Sequence, residues 1–136
     1  MANNYTETSS WLNLKPDQIT KAKEIIDRVE LELEEDDSLG GYCGIIVEVE
    51  GRGEKPGVWF HGDESANVEH LAVIARALIE ELEIDEPFLC SWSYTCSKPR
   101  IDEFGGGAFA IIRGKETHWV DAMCNVQDWA EKERKS

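Results

Sequence analysis

The apolar positions along the chain fall into two periodicities. From Ile19, the residues Ala22, Ile26, Val29 and Leu33 recur at helical spacing, with Ile25 widening the stripe. Pro16 and Asp17 suit a first helical turn, and the pattern ends in an acidic run before Ser38-Leu39-Gly40-Gly41. A second helix is predicted from Ser65 to Glu83, where Val68, Leu71, Ile74, Ala75, Leu78 and Leu82 share one face, with Ser65 or Asp63 as its cap. Between Phe88 and Cys96 the period changes to two. Phe88, Cys90, Trp92, Tyr94 and Cys96 form a core-facing set, opposite Leu89, Ser91, Ser93, Thr95 and Ser97.

Shorter segments complete the pattern. Residues 43–50 and 58–61 are rich in β-branched and aromatic residues and are joined through GRGEKPG, which predicts a hairpin. Residues 108–113 and 116–120 form another, turning at Gly114-Lys115. Val126 to Lys132 is expected to be a short closing helix, with Asn125 as a possible cap. Residues 1–12 are polar apart from Trp11 and Leu12, and are expected to be a flexible N-terminal arm ahead of a single domain, 13–136. The element order is α-β-β-α-β-β-β-α. Short connections favour antiparallel pairing, so the expected fold is α+β: a two-layer sandwich with an antiparallel sheet of about five strands and helices packed on one face.

Composition narrows the function. The 136 residues carry 28 acidic and 14 basic side chains, a formal charge of -14. Such a chain repels nucleic-acid phosphates and anionic membranes, so direct nucleic-acid binding is not expected. No apolar run approaches the ~20 residues of a membrane span, and the N-terminus lacks the basic and apolar regions of a signal peptide. A cytoplasmic location is expected. The acids cluster in residues 30–37 (ELELEEDD) and 80–86 (EELEIDE), both at predicted helix C-termini, where the helix dipole disfavours them. A local rule broken twice in the same direction points to function. Glu32, Glu34, Glu35, Asp36 and Asp37, with Glu80, Glu81, Glu83, Asp85 and Glu86, are the candidate partner-binding residues. The partner this implies is a basic or nucleic-acid-binding protein, which the chain would bind and block as an inhibitor, a nucleic-acid mimic or an immunity protein. The chain itself is expected to be a monomer or a weak homodimer.

Other chemistry is less well supported. Cys43, Cys90, Cys96 and Cys124 contain no CxxC pair, and His61, Asp63, Glu64 and His70 match no metal motif, so neither a metal nor a cofactor is expected. Ser91 and Ser93 lie mid-strand rather than at a nucleophile elbow, and no local feature activates a thiolate near His118. No catalytic residue is assigned. An alternative site is an anion- or ligand-binding one, formed by Ser91 and Ser93 on the hydroxyl-lined sheet face together with Lys98, Arg100, Gly105, Gly106 and Gly107. A third reading is an assembly component joined through an unpaired strand edge. The stretch SWSYTCSKPRIDEFGGGA, residues 91–108, resembles a segment of small uncharacterised proteins of phages and bacterial mobile elements. The resemblance implies a bacterial or phage setting.

Overall fold

A computed structural model describes residues 4–35, 46–50, 55–62, 66–96 and 105–135. Six strands and three α-helices follow in the order β1 (Asn4–Asn13), α1 (Ile19–Glu35), β2 (Ile46–Glu50), β3 (Gly57–Gly62), α2 (Val68–Glu81), β4 (Phe88–Cys96), β5 (Gly105–Ile111), β6 (His118–Asp121) and α3 (Ala122–Lys135). A single turn of 3-10 helix, Pro16–Gln18, leads into α1. All strand pairings are antiparallel, in the order β2-β3-β1-β4-β5-β6. The first four strands and two helices form a split β-α-β arrangement of the ferredoxin-like type, to which β5, β6 and α3 are added. The α+β class and antiparallel sheet are as the sequence pattern indicates.

One expectation is overturned. Residues 4–12, expected to lie in a flexible arm, form with Asn13 a central strand of the six-stranded sheet. Leu12 pairs with Val58 in β3, and Thr8 pairs with Trp92 in β4. The inward positions Thr6, Thr8, Ser10 and Leu12 keep a period of two, but three of the four carry hydroxyls. Thr8 is buried because its hydroxyl donates to the Ser91 carbonyl at 2.6 Å and lies 3.4 Å from Cys90 Sγ. Hydrogen bonding, not hydrophobicity, admits this strand to the centre of the sheet.

The core lies between the sheet and the helix pair α1 and α2. Ala22, Ile25, Ile26, Val29 and Leu33 of α1 meet Leu71, Ile74, Ala75 and Leu78 of α2, above Val58, Phe60, Phe88, Cys90, Phe109 and Ile111. The rings of Phe60 and Phe88 are 5.6 Å apart, and those of Phe88 and Phe109 are 6.1 Å apart. Gly107 is required by packing, since a Cβ there would lie 2.6 Å from the Trp92 ring. Gly114, at φ +79°, makes the turn into β6 in a conformation that glycine adopts without strain.

Helix boundaries differ from the sequence expectation in two places. The cap of α2 is Asn67, whose side-chain oxygen accepts from the backbone N–H groups of Glu69 and His70. Ser65 and Asp63, the expected caps, lie outside the described residues. The closing helix begins at Ala122, with Asp121 accepting from the Cys124 N–H, and Asn125 lies inside it.

His70 is 2% exposed on the core side of α2, and neither ring nitrogen has a hydrogen-bond partner among the described residues. A buried, unpaired imidazole carries a desolvation cost with no compensating bond. We therefore expect His70→Leu to raise the urea midpoint, corresponding to about 1–3 kcal/mol. A lower midpoint would show that the imidazole is bonded in solution.

Candidate functional site

The two acidic runs end the two helices of the outer layer, as the sequence pattern indicates, but the structure treats them differently. The second run is largely spent on internal pairing. Glu80 accepts from the Gly114 backbone N–H at 2.9 Å and from Arg76 at 3.0 Å, and these contacts, the first above all, hold its carboxyl below the usual range. Glu81 forms a two-pronged pair with Arg28, which lowers its pKa in the same way. Arg113 pairs with Asp85 and lies 3.8 Å from Glu83. Glu86 accepts from the Asn13 amide at 3.4 Å. Glu83 also has a structural duty: at φ 53° it occupies the left-handed position that ends α2, with Ile84 N–H reaching back to the Ile79 carbonyl.

The first run is left facing solvent. Glu32, Glu34 and Glu35 are exposed on the last turns of α1, while Asp36 and Asp37 lie outside the described residues. Arg28 links the two runs, since the guanidinium that grips Glu81 also lies 3.8 Å from Glu32. On the neighbouring face, Asp27, Glu30 and Glu34 follow one another at i, i+3 and i+7, and none of them makes an ion pair among the described residues. Burial raises the Glu30 pKa first, and repulsion from Asp27 and Glu34 raises it further. Leu31 stands beside this row and is 60% exposed.

Like charges at this spacing destabilise an isolated helix. The sequence reading of the acidic run stopped short of Asp27. The signal that extends it is the i, i+3, i+7 relation along the flank of a helix whose core face is fixed by Ile25, Ile26 and Val29. Because the folded Glu30 pKa is raised, its favourable contribution is present below the unfolded carboxylate pKa and is lost as pH rises through the folded value. Glu30→Gln should therefore raise the thermal midpoint at pH 7 and leave it nearly unchanged at pH 3. A lower midpoint at pH 7 would show that the Glu30 carboxylate is compensated rather than repelled.

Of the remaining candidates, the structure places Ser91, Ser93 and Gly105 to Gly107 on the neighbouring strands β4 and β5. Ser91 and Ser93 lie on the sheet face opposite the helices, as the alternation indicates. Gly105, Gly106 and Gly107 belong to β5 and pair with Tyr94, Ser93 and Trp92. Lys98 and Arg100 lie outside the described residues, as do Cys43, Asp63 and Glu64. Burial raises the pKa of the Cys90 thiol, and Asp121 raises that of Cys124, so both thiols are held in the poorly nucleophilic form. Among the described residues no three His, Cys, Asp or Glu side chains come together as a metal site. No described helix is long and apolar enough to cross a membrane.

A shallow groove of about 470 Å³ runs between α2 and β6, lined by Ala72, Val73, Thr117 and Trp119. The Arg76 side chain on its wall is occupied by Glu80, Thr117 and the Ile112 carbonyl. No family model, curated protein or solved structure matches the chain.

Proposed function

We propose that this protein is an interaction module that binds and blocks a basic partner protein through the outer face of α1. The observation that carries the reading is the uncompensated row Asp27, Glu30 and Glu34 with Leu31 exposed beside it. Among the described residues the arginines pair with acids elsewhere, and none reaches this row. Carboxylates around an apolar anchor are complementary to a basic, amphipathic surface, such as one that otherwise holds nucleic acid. The repulsion that the row imposes on the free protein is relieved when the partner's cations arrive. The resemblance of residues 91–108 to small phage and mobile-element proteins supports a bacterial setting for that partner.

The test is capture from a bacterial lysate by the tagged full chain, in parallel with a chain carrying Asp27→Asn, Glu30→Gln, Glu34→Gln and Glu35→Gln. The reading expects a basic protein to be retained by the first at low salt, released at high salt, and absent from the second. Equal retention by both chains would remove α1 as the binding face.

A further inference from the structure

The groove between α2 and β6 has no part in the α1 row, which lies on the other helix of the outer layer. Its helical wall is one face of α2, where Glu69, Ala72, Val73 and Arg76 fall at i, i+3, i+4 and i+7. Thr117 and Trp119 form the other wall. At about 470 Å³ the groove is in the size range of small-molecule sites. Ala72, Val73 and Trp119 give it an apolar floor.

Trp119 is held from behind. The buried rings of Phe109 and Trp92 back it at centroid distances of 4.8 and 5.8 Å, while the indole itself stays 43% exposed. The groove therefore presents an aromatic surface already in place before a ligand arrives, which lowers the ordering cost of binding.

Charge selects the ligand. Two charged side chains line the groove, and only one is spent. The Arg76 guanidinium donates to Glu80, to the Ile112 carbonyl and to the Thr117 hydroxyl. Glu69 is exposed, and its carboxylate makes no hydrogen bond or ion pair among the described residues. Seven residues of helix separate the two, ~10 Å along the axis, so Arg76 does not pair with Glu69. The formal charge of -14 on the whole chain repels anions and draws cations.

We propose that the groove binds a small organic cation, a substituted ammonium carrying an aromatic or branched aliphatic body. The body packs on Ala72 and Val73, the cationic centre lies against the Trp119 indole, and Glu69 supplies the counter-charge.

The experiment is a titration of the isotope-labelled full chain with benzyltrimethylammonium chloride to ~10 mM, a range suited to a ligand of so few atoms, followed by amide NMR shifts. Saturable shifts are expected at Ala72, Val73, Thr117 and Trp119, including the Trp119 indole N–H. Benzenesulfonate, with a similar body and the opposite charge, should produce none there. Glu69→Gln should weaken binding roughly threefold, since an exposed ion pair contributes modestly. Val73→Lys puts a cation of the chain's own into the groove and should abolish the shifts. Val73 is 37% exposed, so this variant should keep the spectrum of the folded chain. A wild-type chain without saturable shifts overturns the proposal. Shifts centred on α1 or on the sheet face carrying Trp11 and Trp59 also overturn it, as do equal shifts with benzenesulfonate or unweakened binding in either variant.

Discussion

A chain that begins at Leu14 should not fold. Removing residues 1–13 takes out β1, which lies between β3 and β4 and holds the two halves of the sheet together. The pairings of Thr8 through Asn13 with β3 and of Asn4 through Thr8 with β4 are lost together. Two newly unpaired strand edges would then lie in the middle of the protein, a template for aggregation. The loss of buried Leu12 and Thr8 would also open the core above Val58 and Cys90. Thermal unfolding followed by circular dichroism should show a cooperative transition for the full chain and none for the truncated one. A truncated chain melting at the full-length midpoint would mean that residues 4–13 are not part of the sheet.

The second large effect is expected at Phe60. This residue is fully buried at the centre of β3, pairs with Ser10 and Val47 across the two ladders, and packs its ring against Phe88. Phe60→Ala removes a large side chain from a site enclosed by the sheet and the helix layer, where relaxation is limited. The expected loss is about 3–5 kcal/mol in urea unfolding. That is a large share of the stability of a domain this size, and should lower the thermal midpoint by roughly 10 °C or more. A loss below about 1 kcal/mol would show that the space at Phe60 collapses freely, contrary to close packing against Phe88.

Much of the architecture is legible in the sequence wherever a single physical rule operates. The stripes of α1 and α2 are visible because their buried residues are apolar and helically spaced. The strand from Phe88 to Cys96 is visible because its alternation is uninterrupted. β1 is hidden for a specific reason. Its inward side chains include Thr6, Thr8 and Ser10, and the Thr8 hydroxyl is satisfied by a carbonyl and a thiol of β4, 83 and 82 residues away. No local pattern announces such a partner. The cap at Asn67 is similarly hard to choose in a segment that also contains Asp63 and Ser65. The length of α3 is obscured because its apolar positions Met123, Val126 and Trp129 stay about half or more exposed, so no buried stripe marks its extent.

The candidate site divides along the same line. Both acidic runs are plain in the sequence as charge, but charge alone does not separate a free carboxylate from a paired one. Arg28 meets Glu81 across 53 residues and Arg113 meets Asp85 across 28, so tertiary structure decides that residues 80–86 are mostly occupied. The row on α1 is defined by helical spacing and could be extended back to Asp27 from sequence once the helix is placed.

The account turns on whether the α1 row binds cations on a partner, and a direct measurement uses a defined probe. An amphipathic Lys/Leu peptide would be titrated into the full chain, and into the chain carrying Asp27→Asn, Glu30→Gln, Glu34→Gln and Glu35→Gln, at rising salt. Pairs at such sites contribute about 0.3–1 kcal/mol each, so neutralising the four should weaken binding roughly tenfold or more at low salt. The wild-type affinity should fall steeply as salt shortens the screening length, while the neutralised chain should bind weakly with little salt dependence. Equal affinities for the two chains at low salt would contradict the assignment of α1 as the binding face.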